Sequence, residues 1–318
     1  MKILVTGSKG YIGSVLMKTL TLQGRIAYGV DNRSKKQESA AYGISYDYNI
    51  NDPAVIGIIL RNKIDTIFHL AASADVGESV TNPSLYYNNN IGNTSLFLSS
   101  LIERGWKGKI IFSSTAAVYK ETNELVTEDS VIDPPNPYGR SKHACENFLQ
   151  DIHKAHDIDV VVFRYFNVGG GWDDCGDHSD STRILARLCN SVYNNEQFTL
   201  YGNDKNTYDG TCVRDYLHVR DVCDAHIHAS EFLDNNPGHY TFNLGTSRGW
   251  SNLEIIIAFK LFTGQNPNVV LGPGRPGDPD YLVSNAQKFV NLTGYRYKHS
   301  SLENVVNSAW TYYLNRME

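Results

Sequence analysis

Short apolar segments alternate with longer helix-like segments through the first half of the chain, and this alternation restricts the fold more than any other feature. The apolar segments, rich in Ile, Val, Leu and Phe, are residues 2–6, 26–31, 65–70, 109–114 and 159–164. The helix-like segments are residues 11–23, 53–61, 83–103 and 138–156. Continuous apolar runs are typical of strands buried on both faces of a parallel sheet. The alternation therefore predicts βαβ crossovers and a doubly wound α/β fold.

The chain changes character after Phe166. Three glycines at 169–171 are followed by a polar stretch, a helical piece near 182–194 and a strand near 199–201. Residues 218–232 and 240–244 have the pattern of a helix and strand that return to the main sheet. We predict a dinucleotide-binding domain over residues 1–166 that also receives about 216–245. The remainder of 167–318 is predicted to be a smaller, discontinuous mixed α/β lobe that binds substrate.

Composition excludes several classes of protein. The 318 residues carry 29 Lys and Arg against 34 Asp and Glu, so the net charge is 29 − 34 = −5. This balance argues against a nucleic-acid partner, which needs a basic field. No apolar run is long enough for a membrane span or a signal-peptide core. The five cysteines contain no CxxC pair and are expected to be reduced thiols in a cytoplasmic protein.

A glycine-rich loop, Gly7-Ser8-Lys9-Gly10-Tyr11-Ile12-Gly13, directly follows the first strand and opens a helix. Such a loop lets the protein backbone approach a bound pyrophosphate, and the N-terminus of the following helix favours the negative charge of that group. A glycine triplet alone is weak evidence, but a strand before it and a helix after it are the context that a Rossmann-like dinucleotide site requires.

Asp31 ends the second strand, 18 residues after Gly13. A carboxylate there can accept hydrogen bonds from the adenosine ribose and repels a 2′-phosphate, so Asp31 favours NAD over NADP. A simple turn residue is the less favoured interpretation. Arg33, Lys35 and Lys36 follow closely and leave NADP open as an alternative.

Tyr138 and Lys142 form a Tyr-x-x-x-Lys motif on a predicted helix, and the four-residue spacing places both side chains on one face. To act as a base near pH 7 the tyrosine needs its pKa lowered from about 10, at a cost of roughly 4 kcal/mol. One ammonium at about 4–5 Å contributes roughly 3–4 kcal/mol at an effective dielectric near 20. Lys142 and an oxidised nicotinamide together are therefore sufficient to lower the pKa of Tyr138 into the range of a usable base. Ser113, Ser114 and Thr115 end a strand at the sheet edge where ligands bind.

These motifs resemble those of the extended short-chain dehydrogenase/reductase family, most closely its UDP-glucose 4-epimerases and related nucleotide-sugar 4-epimerases. The likeness covers nearly the whole chain. In the first half it lies in residues 5–13, 31–32, 69–72, 76–79, 86–90, 113–119 and 138–142. In the second half it lies in 164–167, in YGND at 201–204, in DGTCVRDY at 209–216 and in GRPGD at 274–278. The second-half motifs are the specific ones, because simpler family members lack them.

The resemblance implies a catalytic set in which Thr115 hydrogen-bonds the sugar 4-hydroxyl, Tyr138 removes or returns its proton, and Lys142 holds the nicotinamide ribose. It implies a nucleotide-sugar site in which Asn167 binds the sugar diphosphate, Tyr201 lies beside the nucleoside, Arg214 and Arg275 clamp the two phosphates, and Asp278 holds the ribose. Asn89 or Asn90 would lie near the nicotinamide. The NAD-binding residues implied are Gly7, Gly10, Tyr11, Ile12, Gly13, Asp31, Asn32, Asn49, Ile50, Leu70, Ala71, Ala72, Asn89, Ser113, Tyr138, Lys142 and Tyr165.

The expected activity is NAD-dependent 4-epimerisation of a UDP-sugar by a homodimer, in which helices 83–103 and 138–156 pair across a two-fold axis. The nucleotide base stays open, because Thr182 and Arg183 replace the family's usual Asn-Leu, and the sugar stays open, because the loop after Asp278 is about one residue shorter than usual. Ala74 replaces a usual Lys and removes a charge near the cofactor. A 4-keto-sugar reductase is an alternative, as is a non-catalytic dinucleotide-binding protein. Dehydratases and decarboxylases need an acid beside the catalytic hydroxyl, where this chain has Ala116 and Ala117. His218, His226 and His228 are expected to pack or face solvent, and no metal site is predicted.

Overall fold

The structure is a computed structural model that describes residues 1–33, 42–177, 181–274 and 278–317. In chain order its strands are β1 (Lys2–Thr6), β2 (Ile26–Asp31), β3 (Ile44–Asp47), β4 (Thr66–His69), β5 (Lys109–Thr115), β6 (Asp159–Tyr165), β7 (Asn167–Gly169), β8 (Gly171–Trp172), β9 (Cys175–Gly176), β10 (Gln197–Tyr201), β11 (Val213–His218), β12 (His239–Leu244), β13 (Gly249–Ser251), β14 (Asn268–Gly272) and β15 (Tyr281–Leu282). Its helices are α1 (Tyr11–Leu22), α2 (Pro53–Asn62), α3 (Val76–Thr81), α4 (Pro83–Tyr86), α5 (Asn93–Ile102), α6 (Pro137–His156), α7 (Ile184–Tyr193), α8 (Val219–Asn235), α9 (Asn252–Thr263), α10 (Gln287–Thr293) and α11 (Leu302–Met317). Tyr87–Gly92 form a π-helical turn and Ala116–Val118 a 3₁₀ turn.

The central sheet has the strand order β12-β6-β5-β4-β1-β2-β3. The strand β1 runs parallel to β2 on one side and to β4 on the other, with Val5 opposite Gly29 and Phe68. Strands β2 and β3 therefore lie on one side of β1, and β4 and the strands that follow it in the sheet lie on the other side. The predicted doubly wound, Rossmann-like α/β fold is confirmed. Ligands of such sheets bind at the carboxyl ends of the strands where the order reverses, which here is between β1 and β4.

Residues 83–102 are helical, as the prediction of a helix over 83–103 expects, but this helix is not a regular α-helix throughout. The π-helical turn Tyr87–Gly92 separates α4 from α5 and inserts a wider turn into the helix. Tertiary hydrogen bonds support it: the Asn90 amide nitrogen donates to the Ser141 hydroxyl at 2.9 Å and to the Ser73 carbonyl at 3.1 Å. The Cys145 thiol donates to the Asn90 carbonyl at 3.1 Å. These contacts replace the regular helical pattern, which hydrophobic periodicity alone indicates.

The chain comprises two compact units. The first contains Met1–Tyr119, Ile132–Arg164 and Cys223–Phe242, and the second contains Lys120–Val131, Tyr165–Val222 and Asn243–Glu318. The first unit's core joins the sheet to its helices, with fully buried Ile67, Leu101 and Leu149 among its members. Because such side chains leave water completely, each contributes about 1.5–3 kcal/mol by burial.

The second unit has its own core and smaller sheets. Strand β11 pairs with β13 antiparallel and with β7 and β15 in parallel, and β10 pairs with β14 in parallel. Phe198, Tyr216, Phe259 and Val305 are buried together between these strands and helices. In neither unit does a helix of the described residues have the length and apolar character needed to cross a membrane.

Candidate active site

The glycine loop begins where β1 ends, and two of its glycines are required by close backbone contacts. Gly7 has φ +70°, and a Cβ atom there would lie 2.9 Å from the backbone nitrogen of Ala71. A Cβ atom on Gly13 would lie 2.0 Å from the carbonyl oxygen of Gly7. Gly10 precedes α1, whose first turn contains no acidic side chain. Because the first amides of a helix lack intrahelical acceptors, this end of α1 suits an anion.

A cleft opens over this loop, within the first unit. It is lined by Gly7, Lys9, Gly10, Val30, Asp31, Asn32, Tyr48, Asn49, Ile50, Leu70, Ala71, Ala72, Ser73, Glu78 and Asn89. Most of the residues predicted to bind the dinucleotide are thus brought together at the carboxyl ends of β1, β2 and β4. Sequence reasoning missed five residues of the lining, Lys9, Val30, Tyr48, Ser73 and Glu78, of which all but Tyr48 lie within or beside an identified motif.

Asp31 borders the cleft at the end of β2, and its carboxylate is held in place by backbone amides. Oδ2 accepts a hydrogen bond from the Lys9 amide at 3.0 Å, and Oδ1 accepts one from the Arg33 amide at 2.8 Å. The side chains of Lys9 and Arg33 both pair with Asp47 on β3. Hydrogen bonds from these two cations hold the pKa of Asp47 below its usual value. Lys35 and Lys36, the other predicted cations, lie outside the described residues.

Some predicted cofactor residues do not line this cleft. Tyr11 and Gly13 are buried in the first turn of α1, beside Ile12. Ser113, Tyr138 and Lys142 belong to the neighbouring ends of β5 and α6, and Tyr165 belongs to the second unit.

A buried histidine supports the loops that form the cleft. His69 Nδ1 lies 2.8 Å from the Thr6 hydroxyl and Nε2 lies 2.9 Å from the Thr94 hydroxyl. The Thr6 hydroxyl also accepts a hydrogen bond from the Ala71 amide at 3.2 Å. Burial, with a smaller contribution from Lys142, lowers the pKa of His69 to about 3. The imidazole is therefore neutral at physiological pH and connects β1, β4 and α5 structurally.

Helix α6 presents Tyr138 and Lys142 to the end of β5. Asn136 caps the helix, accepting from the Gly139 amide at 2.8 Å, and Pro137 occupies the first turn, where it costs no hydrogen bond. The ammonium of Lys142 donates to the Ser113 carbonyl at 2.7 Å. Burial lowers the pKa of Lys142 to about 8, against smaller opposing effects of Cys145 and Glu146.

Thr115 ends β5 and caps the 3₁₀ turn that follows. Its hydroxyl accepts a hydrogen bond from the Ala117 amide at 3.1 Å. The turn packs against the start of α6 so closely that a Cβ atom on Gly139 would lie 2.2 Å from the Ala117 carbonyl oxygen. Thr115, Tyr138 and Lys142 are thus carried by two segments in direct contact.

The aromatic ring of Tyr138 meets that of Tyr86 edge-on, with ring centroids 6.3 Å apart. Tyr86 is fully buried and donates its hydroxyl to Glu78, which lines the cleft, at 2.9 Å. Burial and the Glu78 carboxylate raise the pKa of Tyr86. Tyr86 therefore remains a neutral hydrogen-bond donor.

A buried ion pair lies behind these residues in the first unit. The Arg164 guanidinium donates to the Glu146 carboxylate through Nη2 at 2.7 Å and through Nε at 3.1 and 3.3 Å. Burial raises the pKa of Glu146, but hydrogen bonds from His143, Arg164 and Ser114 outweigh it and hold the pKa below its usual value. The glutamate is therefore ionised at neutral pH. No sequence motif marked it.

The predicted nucleotide-binding residues that the structure describes, Asn167, Tyr201, Arg214 and Asp278, lie in the second unit. Arg214 is 8% exposed and forms no ion pair with a described residue; it donates to the carbonyls of Val213 and Pro279 at 2.9 and 2.7 Å. Lys205, which sequence reasoning missed, donates to the Asp278 carbonyl at 2.8 Å and pairs with Asp280 at 3.0 Å. Two cations thus hold the backbone of residues 278–279.

The remaining residues predicted for the nucleotide-sugar site are Asn167, Tyr201 and Arg275. Asn167 begins β7, which pairs with β11 two positions beyond Arg214. Tyr201 ends β10, with its ring centroid 4.9 Å from the Arg187 guanidinium. Arg275, the other predicted clamp residue, lies outside the described residues.

Known proteins resemble the chain over its whole length. The model of the NAD dependent epimerase/dehydratase family matches residues 3–245. A UDP-glucose 4-epimerase of Lactobacillus helveticus is 36% identical over 98% of this chain and 97% of the relative. A UDP-glucose 4-epimerase of Azospirillum brasilense is 35% identical over 97% of this chain and 90% of the relative.

Solved structures give the same result. A UDP-glucose 4-epimerase of Stenotrophomonas maltophila, with bound NAD and formylated UDP-arabinopyranose, superposes with a TM-score of 0.94 at 30% identity and covers 100% of both chains. That of Bifidobacterium longum, in complex with NAD⁺ and UDP, superposes with a TM-score of 0.90 at 31% identity, over 100% of this chain and 99% of that one. The chain therefore belongs to the NAD-dependent epimerase/dehydratase family of enzymes.

Proposed function

We propose that this protein is an NAD-dependent UDP-sugar 4-epimerase, most simply one that interconverts UDP-glucose and UDP-galactose through a transient 4-keto sugar. The observation that carries the proposal is the group at the end of β5: Lys142 is buried against the Ser113 carbonyl, one helical turn from Tyr138 and beside the turn that starts at Thr115. The full-length similarity to UDP-glucose 4-epimerases supports the substrate class.

The residues around the cleft fit NAD. Gly7 and Gly10 allow close approach of a pyrophosphate, α1 offers its amide end, and Asp31 supplies an acceptor for adenosine ribose hydroxyls. Asn32, Asn49 and Ile50 would border the adenine, and Leu70–Ala72 with Asn89 would border the rest of the dinucleotide. When bound, NAD supplies a hydride acceptor and donor for C4 of the sugar.

The step that the protein's side chains would carry out is proton transfer at the 4-hydroxyl of the sugar. Tyr138 would accept and return this proton, and the ammonium of Lys142 would favour the phenolate and hold the nicotinamide ribose. The Thr115 hydroxyl would orient the sugar oxygen.

The second unit would hold the nucleotide diphosphate. The Arg214 guanidinium has a planar fork that matches phosphate oxygens, and it can exchange its carbonyl acceptors for them. We assign Arg275 and Asn167 to the same diphosphate, Tyr201 to the nucleoside, and Asp278 to its ribose, by the resemblance described above.

The alternatives within the family differ in their products. A 4,6-dehydratase needs a further acid, whereas Thr115 is followed by buried Ala116 and by Ala117. A 4-keto reductase would consume reduced nicotinamide in stoichiometric amounts. A non-catalytic dinucleotide-binding protein has no need of the Tyr138–Lys142 pair.

The test is incubation of the purified protein with each UDP-hexose and separation of the products. We expect either C4 epimer to yield the same mixture, with no net reduced nicotinamide and no 4-keto-6-deoxy sugar. Accumulation of the deoxy sugar would identify a dehydratase, and consumption of added NADH a reductase. Absence of both turnover and binding for every nucleotide sugar would favour the binding protein.

We also propose that the protein acts in the cytoplasm, as a homodimer, without a nucleic-acid partner. All five cysteines are buried thiols outside any disulfide, as expected of a reducing compartment. The net charge of −5 gives no basic field for nucleic acid. The segment α4–α5, predicted to pair with α6 across a two-fold axis, exposes Leu96 at 62%.

A further inference from the structure

The Glu146–Arg164 ion pair joins four segments of the first unit. Its carboxylate belongs to α6 and its guanidinium to β6, and both side chains are under a tenth exposed. The hydroxyl of Ser114 on β5 donates to Glu146, and Arg164 Nη1 donates to the hydroxyl of Tyr119 at 2.9 Å. The guanidinium also lies over the Tyr119 ring, 4.9 Å from its centroid.

The ion pair forms hydrogen bonds to both ends of a short segment that contains Thr115. Glu146 holds Ser114, the residue before Thr115, and Arg164 holds Tyr119, which follows the 3₁₀ turn Ala116–Val118. A displacement of Thr115 relative to α6 would therefore break hydrogen bonds to buried charged groups, which are stronger than those between neutral groups.

The same ion pair also helps to fix the orientation of α6 relative to β5. Tyr138, Lys142 and Glu146 follow one another at four-residue spacing, so they share a side of the helix. Lys142 bonds Ser113 and Glu146 bonds Ser114, at two points about 6 Å apart along the axis. The Cys145–Asn90 hydrogen bond and the contact of Gly139 with Ala117 also hold α6, so loss of one of these two points permits only a small rotation. A rotation of about 10° is enough to move a side-chain tip about 6 Å from the axis by about 1 Å.

We propose that the Glu146–Arg164 ion pair is a positioning element that fixes the Tyr138 hydroxyl relative to Thr115 for proton transfer. A role in stability alone is the weaker account, because buried ion pairs are often no more stabilising than apolar side chains of similar volume. Proton transfer, in contrast, depends steeply on geometry, and a misplacement of about 1 Å can cost roughly 100-fold in rate. The proposal rests on the proposed epimerase function for its kinetic test.

The decisive variant is the double substitution Glu146→Gln/Arg164→Met, which removes both charges and leaves neither one buried alone. We expect it to fold and to retain bound NAD and the KM for UDP-sugar, while kcat falls roughly 10- to 100-fold. A kcat equal to that of the wild type in the folded double variant would overturn the proposal. Ile59→Ala on α2 is the matched control: it costs about 2–5 kcal/mol of stability in the same unit, and kcat should not change.

Ser114→Ala keeps the proposal testable if the double variant does not fold. It removes one hydrogen bond to Glu146 and leaves the Glu146–Arg164 pair intact, so the protein should fold. We expect a several-fold lower kcat at unchanged KM, and a wild-type kcat here would again contradict the proposal.

A failure of the epimerase assignment can be separated from a failure of this proposal. If the wild type turns over no nucleotide sugar, crystal structures of the wild type and the double variant are compared instead, through the distance between the Tyr138 hydroxyl and the Thr115 hydroxyl. A change of about 1 Å or more in this distance in the double variant would support positioning. The same distance in both would refute it.

Discussion

The ammonium of Lys142 donates a hydrogen bond to the carbonyl oxygen of Ser113 at 2.7 Å, and this contact holds the lysine in a buried position at the end of β5. The side chain is buried beneath the end of β5, with the ring centroid of Phe112 4.7 Å from Nζ. Burial lowers its pKa from 10.5 to about 8. The lysine thus bears its charge at physiological pH but loses it far more readily than a surface lysine does.

This shift predicts a specific pH dependence of stability. Between pH 8 and 10.5 the unfolded chain binds a proton on Lys142 that the folded protein does not, so Lys142 contributes a rise in the free energy of unfolding with pH in that window. The thiols of Cys145 and Cys212, whose pKa values are raised by burial, contribute slopes of the opposite sign, so the contribution of Lys142 is measured as the difference in slope between variant and wild type. The slope is at most about 1.4 kcal/mol per pH unit. Urea unfolding at several pH values should show that Lys142→Met removes this rise. The exposed control Lys107→Met should retain it, and an unchanged slope in Lys142→Met would contradict the assignment.

Asp31 predicts the choice of dinucleotide. The wild type should bind NAD more tightly than NADP, because a 2′-phosphate would meet a carboxylate held by the amides of Lys9 and Arg33. Asp31→Ala should narrow the difference in Kd. Asp65→Asn is the control, since that carboxylate lies at the amino end of β1, where it accepts from the Lys2 amide. Titration calorimetry measures the ratio of the Kd values for NADP and NAD in each protein. Equal affinities of the wild type for NAD and NADP would exclude this role of Asp31.

The sequence predicted those elements whose signal is local. The strands β1 and β2 and the start of β5 coincide with uninterrupted apolar runs, and the glycine loop is defined by steric contacts that only Gly7 and Gly13 allow. The strand β3 escaped prediction because it is an edge strand whose four residues are all at least partly exposed. Such a strand lacks the apolar run that marked its neighbours.

Other features depend on partners distant in sequence. The π-helical turn forms because Asn90 bonds Ser73 and Ser141, 17 and 51 residues away. Glu146 acquires its role from Arg164, on another element 18 residues later. Neither relation leaves a pattern in hydrophobic periodicity, so only the three-dimensional structure reveals it.

Arg214 predicts how the nucleotide sugar is held. If its fork binds the diphosphate in a desolvated site, Arg214→Ala should weaken UDP-sugar binding by about 2 kcal/mol, roughly 30-fold in Kd. Bound NAD should be unaffected. The exposed Arg296→Ala serves as control. An unaltered Kd in Arg214→Ala would show that the diphosphate is bound elsewhere.

Leu96 predicts the assembly. It lies on α5 and is 62% exposed, so a two-fold pairing of the α4–α5 segment with α6 would bury it. We expect the wild type to sediment as a dimer at micromolar concentration and Leu96→Glu to shift it toward monomer. Leu22→Glu, at a comparable exposure of 63% on α1, should leave the dimer intact. Sedimentation of the wild type as a monomer would refute the assembly.

Tyr138→Phe tests the chemistry most directly, because it removes one oxygen and keeps the ring that packs against Tyr86. Folding and NAD content should survive, since Lys142 retains its bond to Ser113. Loss of a general acid–base group typically lowers the rate by about 10²–10⁴, so turnover of UDP-glucose should fall by at least the lower factor. Tyr86→Phe is the matched control: it removes the hydroxyl that donates to Glu78, and its effect on kcat should be much smaller. If the two variants had equal kcat, the proton would have to move through a group other than Tyr138.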